Sequence, residues 1–185
     1  MKSDNDLISA SLAAFICTHN ACRSQMAEAL GRKYGAALFD SCSAGTKPAS
    51  SIDPTARLMK ELYHMDMEKE QFPKSIRQIP HPDILISMGC VQGCPWMGRP
   101  FDEDWQLENP AGKGEEAYLA VIREIDAKVH ALAEKVKAGY PLCWQHSSDC
   151  CRLSAAVCQL PDEAGLPPAS WNTARPVSDR LTSSR

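Results

Sequence analysis

With 185 residues, 44% of them hydrophobic, the chain can form one compact domain with a sizeable core and is short for two. Its formal net charge of −3 and its lack of a basic run argue against a nucleic acid or an anionic membrane as the partner. No segment has the pattern of a signal peptide or a membrane span, so a cytoplasmic location is expected, where nine cysteines indicate catalytic, redox or metal-binding thiols rather than a disulfide scaffold.

Short apolar runs alternate with helix-forming segments along most of the chain. Continuous apolar runs are typical of strands buried on both faces of a parallel sheet, and apolar residues three and four positions apart predict helices. The predicted strands cover residues 12–16, 37–43, 83–88 and a short stretch between 99 and 105, and the predicted helices cover residues 24–34, 53–63 and 114–139. The side chains expected to face the core from the middle helix are Leu58, Met59, Leu62 and Tyr63.

Strands that alternate with helices predict a doubly wound α/β sheet, here in one domain of residues 10–139. In such sheets, ligands bind beyond the carboxyl ends of the strands, where the strand order reverses. Residues 140–185 lack a long apolar period and are rich in proline and serine, so this tail is expected to be irregular or disordered. It contains no Cys-x2-Cys pair, which argues against zinc binding by its candidate ligands Cys143, His146, Cys150, Cys151 and Cys158.

A thiol and a guanidinium stand six residues apart between the first predicted strand and helix, at Cys17 and Arg23. The loop between them precedes a helix N-terminus, where free backbone N–H groups and the helix dipole favour a tetrahedral oxyanion. Arg23 can bind two oxygens of that anion, and the same field favours the thiolate form of Cys17, to which Ser24 can donate a hydrogen bond. The simpler alternative is a buried cysteine beside a surface arginine, but Cys17 alone among the cysteines has an arginine six residues later.

Four short motifs follow one another along the chain. They are Cys-Thr-His-Asn-Ala-Cys-Arg-Ser-Gln-Met-Ala-Glu at 17–28, Ser-Ala-Gly-Thr at 43–46, Ser-Met-Gly-Cys at 87–90 and Asn-Pro-Ala-Gly-Lys at 109–113. With these motifs the chain resembles the low-molecular-weight protein tyrosine phosphatase family and, within it, the arsenate reductases, over about residues 10–138. The resemblance implies a four-stranded parallel sheet of order 2-1-3-4 with helices on both faces, in which Cys17 and Cys90 meet at one crevice.

The resemblance also implies a reaction, the reduction of arsenate to arsenite without an organic cofactor or a metal. By position, Cys17 is the nucleophile that forms an adduct with arsenic, Cys90 displaces arsenite by forming a disulfide, and Cys94 relays the oxidation outward. Thioredoxin, or glutathione with glutaredoxin, would then reduce the protein. Arsenate, or phosphate or sulfate as its analogue, would be bound by the loop residues Thr18, His19, Asn20, Ala21, Cys22, Arg23 and Ser24.

Asn109 stands where phosphatases of this fold carry an aspartate that protonates the leaving group. An amide cannot transfer a proton, so a phosphatase reaction would need water or another acid, for which the candidates are Glu108, Asp102 and Asp104. Arsenate exchanges its oxygen ligands with thiols readily, which favours a reductase at such a site. A tyrosine phosphatase and an oxyanion-binding module without turnover remain the alternatives, and Asn109 also suits a simple turn.

Several side chains have both a functional and a structural interpretation. Cys90 and Cys94 suit a relay but also buried or zinc-binding thiols, and Cys22 is a candidate protective or resolving thiol for Cys17. His19 is expected to face solvent or to be structural rather than to act as a general base.

Three further positions concern the support of the loop. The Asn20 amide is expected to order it. Glu28 and Ser43 match a cation site of some members of the family, without a matching carboxylate for the remaining ligand.

Overall fold

The computed structural model describes residues 11–89 and 97–139. The strands are β1 (Ser11–Cys17), β2 (Phe39–Gly45), β3 (Ile84–Ser87) and β4 (Glu103–Asp104). The helices are α1 (Arg23–Tyr34), α2 (Arg57–Tyr63), α3 (Met67–Glu70) and α4 (Glu115–Lys137), with 3₁₀ turns at Pro54–Ala56 and Ile76–Gln78. Within the described ranges, no helix is both long enough and apolar enough to cross a lipid bilayer. The tail of residues 140–185, with the candidate zinc ligands, lies outside them.

The four strands are parallel and lie in the order β2-β1-β3-β4, which confirms the expected topology. Cys17 is the last residue of β1 and pairs with Gly45 at the end of β2, while Ile16 pairs with Ser87 at the end of β3. The three strands therefore end at the same edge of the sheet. The chain order reverses between β1 and β3, so Cys17 lies at the position where parallel sheets bind ligands.

Both faces of the two central strands are buried. Phe15 and Ile86 belong to the larger apolar cluster, which includes the inner faces of α1 and α4. Ile16 and Leu85, which are adjacent to them in each strand, belong to a second cluster with Ile79, beside the 3₁₀ turn that ends at residue 78. Successive strand residues point to opposite faces, so a strand buried on both sides is a run of apolar residues, as residues 12–17 of β1 and 84–86 of β3 are.

The second strand begins two residues later than the sequence indicates. The backbone N–H groups of Leu38 and Phe39 both donate to the carbonyl oxygen of Gly35, over 2.7 and 2.8 Å. These bonds extend the turn after α1 to residue 38. Phe39 is the first residue that pairs with β1, opposite Ser11.

The expectation that Leu62 faces the core is wrong, since its side chain is 53% exposed. Leu58 and Met59 are buried as expected, and Tyr63 packs partly against the core. α2 ends at Tyr63 because His64 adopts a left-handed conformation with φ of 60°. The apolar spacing in the sequence continues to the last residue of α2, but the Leu62 side chain does not pack against the core.

Candidate functional site

The sulfur of Cys17 is buried at the end of β1 and has two hydrogen-bonding neighbours. Its Sγ atom lies 2.9 Å from Ser24 Oγ and accepts the backbone N–H of Asn20 at 3.0 Å. Both neighbours therefore lie within hydrogen-bonding distance of the sulfur.

The side-chain amide of Asn20 holds the loop in shape. Asn20 is fully buried and has a positive φ of 50°, in the region that short polar side chains tolerate best. Its Nδ2 donates to Ser24 Oγ at 2.9 Å and to Ser43 Oγ at 2.8 Å. Its Oδ1 accepts from Gln25 Nε2 at 3.0 Å and from the Lys74 backbone N–H at 2.7 Å. Both donors and both acceptor positions of the amide are used, so these four bonds hold the surrounding loop in a single conformation.

These contacts give the hydrogen bonds a direction. Ser43 Oγ lies 2.5 Å from Glu28 Oε2, and an ionised carboxylate can only accept, so Ser43 donates to Glu28. The Ser43 oxygen in turn accepts from Asn20. Ser24 Oγ also accepts from Asn20, which leaves the hydroxyl hydrogen of Ser24 for the sulfur of Cys17. That hydrogen is available to a Cys17 thiolate, which can only accept.

Two cations neutralise the fully buried side chain of Glu28. Lys74 Nζ lies 3.1 Å from Oε2, and Arg32 Nη2 lies 2.5 Å from Oε1. Buried carboxylates require such partners. Lys74 therefore places an ammonium group beside the Glu28 carboxylate, which also accepts from Ser43.

Arg23 is the first residue of α1, and its guanidinium is buried. Its Nη1 donates to the carbonyl oxygens of Met88, Gly89 and Leu107 at 3.1, 3.2 and 2.6 Å. Within residues 11–89 and 97–139, no carboxylate lies within ion-pair distance of Arg23. A buried cation without a carboxylate partner attracts an anion.

The N-terminus of α1 is not capped by a side chain. Cys22 is the N-cap residue and makes no side-chain capping hydrogen bond, and the first helical turn contains no acidic residue. The backbone N–H groups of that turn and the positive end of the helix dipole therefore lie at the end of the loop, and Arg23 is the first residue of the same turn. This arrangement suits a tetrahedral oxyanion.

The other loop residues differ in exposure. His19 is exposed, as expected of a solvent-facing residue, and Thr18, Ala21 and Cys22 are half-buried. Burial raises the pKa of the Cys22 thiol from 9.0 to about 12; Asp53 and Cys17 add to the rise and Arg23 opposes it. Cys22 is therefore a protonated thiol at neutral pH and a poor nucleophile in this arrangement.

Asn109 forms a turn. Its Oδ1 accepts the backbone N–H of Ala111 at 3.4 Å. Among the candidate acids, Asp102 accepts from both Nη atoms of Arg99 and from the backbone N–H of Leu85, so it supports the sheet.

Two further candidate acids lie on the surface. Glu108 forms an exposed ion pair with Lys113, and Asp104 accepts from the backbone N–H of Gln106 at 3.3 Å.

A layer of polar residues that was not predicted from the sequence lies behind the loop. Gln71 Nε2 donates to Gln25 Oε1 at 3.0 Å, and Gln25 Nε2 donates to the carbonyl oxygens of Asn20 and Phe72. Together with Lys74, this layer connects the loop to residues 71–74. Gln25, directly after the loop, could have been noticed in the sequence as a polar residue in an apolar helix. Its partners Gln71 and Phe72 lie 46 and 47 residues further along the chain, and no sequence pattern connects them to the loop.

Cys90 and Cys94, the expected relay thiols, lie outside the described residues. The first described range ends at Gly89, the residue before Cys90. The backbone N–H of Met88 donates to the carbonyl oxygen of Ile16 at 2.9 Å, so the chain leaves β3 beside the end of β1.

The described domain corresponds to a known family. A model of the family described as low molecular weight phosphotyrosine protein phosphatase matches residues 13–141. That range contains the loop at residues 17–24 and every hydrogen-bonding partner of the loop described above.

Similar proteins include enzymes named for arsenate. A protein of Synechocystis sp. named glutaredoxin arsenate reductase is 33% identical over 126 residues, which are 66% of this chain and 95% of the relative. An arsenate reductase of Brevibacillus brevis is 34% identical over 125 residues, 65% of this chain and 92% of the relative. A solved structure described as an arsenate reductase in the phosphate binding state has a TM-score of 0.61 and 31% identity, and covers 68% of this chain and 98% of that one.

Proposed function

The chain belongs to the low molecular weight phosphotyrosine protein phosphatase family, among its arsenate reductases, and from that membership we propose that it reduces arsenate to arsenite with Cys17 as the nucleophile. The single observation that carries the proposal is the pairing of two groups in one loop. A buried cysteine sulfur with two hydrogen-bonding neighbours lies in the same loop as a buried guanidinium without a carboxylate partner in the described part of the chain. The first group favours a nucleophile and the second favours the oxyanion that it attacks.

In the proposed first step, the Cys17 thiolate attacks arsenic. A sulfur–arsenic bond forms, and one arsenate oxygen leaves as water after taking up protons. Arg23 and the N–H groups of the first turn of α1 stabilise the charge on the remaining oxygens. The Ser24 hydroxyl lies 2.9 Å from the sulfur, where it can donate to the attacking thiolate.

In the second step, a second thiolate, which we assign to Cys90, attacks the sulfur of Cys17. The electron pair of the sulfur–arsenic bond passes to arsenic, so As(V) becomes As(III) and leaves as arsenite, while the two sulfurs become a disulfide. Cys94 then attacks the sulfur of Cys90, which frees Cys17. Two electrons from thioredoxin, or from glutathione with glutaredoxin, reduce the Cys90–Cys94 disulfide.

The surroundings of Asn109 favour this reaction over phosphate ester hydrolysis. Hydrolysis needs an acid for the leaving group, worth about 10² to 10⁴ in rate. The turn at Asn109 offers an amide, and Asp102 is bound to Arg99. The proposed reduction releases water and arsenite rather than an alkoxide, so it depends less on such an acid.

The chemistry also indicates the surroundings in which the protein works. Free thiolates and a thiol reductant require a reducing compartment, so we place the protein in the cytoplasm, in arsenic resistance. The printed name of the Synechocystis relative makes glutaredoxin the first reductant to test. We propose no nucleic acid or membrane partner, in keeping with the net charge of −3.

The proposal is tested by measuring arsenite formation with thioredoxin and, separately, with glutathione and glutaredoxin, beside hydrolysis of p-nitrophenyl phosphate. We expect arsenite with at least one reductant and little p-nitrophenol. The Cys17→Ser variant should bind phosphate and form no arsenite, whereas Arg23→Ala should lose both binding and turnover. Phosphate binding without arsenite formation under either reductant would identify an oxyanion-binding module instead, and rapid p-nitrophenyl phosphate hydrolysis would identify a phosphatase.

A further inference from the structure

One nitrogen of Arg23 connects the oxyanion loop to two other segments of the chain. Nη1 donates to the carbonyl oxygens of Met88 and Gly89, directly after β3, and to that of Leu107, after β4. The first segment continues to Cys90 and the second to Asn109. A single atom in the proposed anion site is therefore bonded to both segments.

The three carbonyl oxygens converge because the two segments lie directly against each other. The backbone N–H of Leu107 donates to the carbonyl oxygen of Met88 at 3.2 Å. Gly89 has a positive φ of 79°, and a Cβ atom there would be 2.7 Å from Gln106 Cα and 3.0 Å from Leu107 N. Only a residue without a side chain allows this approach. Gly89 thus brings its carbonyl oxygen to Arg23 through both its conformation and its size.

The anchoring of Nη1 leaves a definite part of the guanidinium for an anion. The group is planar and carries five N–H donors, two of them on Nη1. In the described part of the chain, Nε and Nη2 donate to no residue. They form the edge that binds two oxygens of a tetrahedral anion. The two N–H groups of Nη1 are shared among three carbonyl oxygens, and these bonds fix the direction of that edge before an anion arrives.

We propose that Gly89 is a positioning residue for Arg23, and that the carbonyl oxygens of Met88, Gly89 and Leu107 couple oxyanion binding in the loop to the two segments that continue to Cys90 and Asn109. The importance of this coupling for catalysis rests on the proposed reductase function. The coupling itself can be tested by measuring anion binding alone. A structural role for Gly89 limited to packing against Gln106 would not change the affinity of the loop for an anion.

The test compares Gly89→Ala with Gly139→Ala. Gly139 has a similar φ of 87°, but a Cβ atom there would have nothing within 4 Å, so the two variants share the backbone strain and differ in the clash. The probe is inorganic phosphate, and its dissociation constant is measured from the protection of Cys17 against iodoacetamide, followed by tandem mass spectrometry. Gly89→Ala should bind phosphate about tenfold more weakly, whereas Gly139→Ala should match the wild-type protein. A folded Gly89→Ala protein with unchanged phosphate affinity would overturn the coupling.

A second measurement uses the unaltered protein and does not depend on the folding of a variant. Hydrogen exchange is followed with and without phosphate at the N–H groups of Trp105 and Leu107, which donate to the carbonyl oxygens of Ser87 and Met88. Coupling predicts that phosphate slows their exchange at least severalfold. Protection confined to residues 17–24, or no protection of Cys17 by phosphate, would overturn the proposal.

The two proposals fail separately. A protein that binds phosphate, slows exchange at Trp105 and Leu107 and forms no arsenite contradicts the reductase function and supports the coupling. A protein that forms arsenite, with phosphate affinity unchanged in Gly89→Ala, supports the reductase function and contradicts the coupling.

Discussion

The ammonium nitrogen of Lys74 lies 3.1 Å from the buried carboxylate of Glu28, at the far end of a hydrogen-bond chain that begins at the sulfur of Cys17. The carboxylate accepts from Ser43, Asn20 donates to both Ser43 and Ser24, and Ser24 lies 2.9 Å from the sulfur. A buried charge pair and the sulfur thus lie at opposite ends of one continuous chain of hydrogen bonds. These hydrogen bonds connect the buried ion pair to the loop and hold the loop in its ordered conformation.

Replacing Lys74 by methionine should destabilise the protein and slow the alkylation of Cys17. The change leaves the buried carboxylate of Glu28 with Arg32 as its one remaining cation, and breaking a buried pair costs about 3 kcal/mol. Urea unfolding measures this loss. The matched control is Lys69→Met, because Lys69 is 79% exposed and pairs with Asp66 at the surface, where such a pair is worth less than about 1 kcal/mol. Equal unfolding midpoints for the two variants would show that Lys74 does not support Glu28.

Removing the hydroxyl of Ser24 should lower the reactivity of Cys17. In Ser24→Ala the sulfur keeps the N–H of Asn20 but loses its side-chain donor, and a hydrogen bond to a charged group is worth about 1.5 to 3 kcal/mol. The rate of iodoacetamide labelling at Cys17 at pH 6 should fall about tenfold or more. Ser41→Ala serves as control, since Ser41 Oγ is buried without a hydrogen-bond partner in the described structure. A rate at Cys17 that is unchanged in Ser24→Ala would assign the activation to Asn20 and the helix alone.

Restoring an acid at position 109 should raise phosphatase activity. Asn109→Asp places a carboxyl group in a turn that the asparagine already forms with Ala111, so the backbone needs little change. Hydrolysis of p-nitrophenyl phosphate should increase by up to about 10²-fold. Asn109→Ala, which loses the amide without gaining an acid, should show no such increase. An unchanged rate in Asn109→Asp would mean that another group already supplies the proton or that position 109 lies too far from the leaving group.

Replacing each of the two proposed relay cysteines should block turnover at a different stage. After one equivalent of arsenate, the reduced wild-type protein should contain a disulfide between two of Cys17, Cys90 and Cys94, which peptide mapping identifies. Cys90→Ser should stop at the arsenic adduct, and Cys94→Ser at a Cys17–Cys90 disulfide that thioredoxin reduces poorly. Full multiple turnover of the double variant with glutathione and glutaredoxin would replace the relay by a mechanism with one protein cysteine.

The raised pKa of Cys22 should make the protein less stable in alkaline solution. The folded value is about 12 against 9.0 for the free thiol, so the folded state holds a proton that the unfolded state releases between these two values. Stability from this thiol is complete below pH 9 and declines above it, by about 1.4 kcal/mol per pH unit. Urea unfolding between pH 9 and 10.5 should show a shallower decline for Cys22→Ser than for the wild-type protein. Equal slopes would contradict the burial of the Cys22 thiol.

The features that sequence reasoning found are local. The spacing of Cys17 and Arg23 predicted the loop, because both residues lie at the junction of one strand and one helix. The order of the strands came from motifs that resemble a family. Leu62 was misplaced because an apolar period shows which residues share a helix face and does not show where the neighbouring structure ends.

The supporting contacts of the loop could not be predicted for a different reason. Arg23 is held by the carbonyl oxygens of Met88, Gly89 and Leu107, and every residue has a carbonyl oxygen. Lys74 reaches Glu28 from 46 positions along the chain, a separation at which no periodic pattern applies. Such contacts depend on the path of the backbone in three dimensions.

The bonds of Asn20 bear on the biosynthesis of the protein. Its partners include Ser43, 23 positions along the chain, and the backbone of Lys74, 54 positions along. Contacts of this kind form only after the intervening chain has been made and closed into place. A nascent or partly folded chain therefore lacks these bonds around Cys17, and a sulfur activated as we propose arises only with the completed fold. The fraction of Cys17 that reacts rapidly with an alkylating agent is accordingly expected to report the fraction of molecules that have matured.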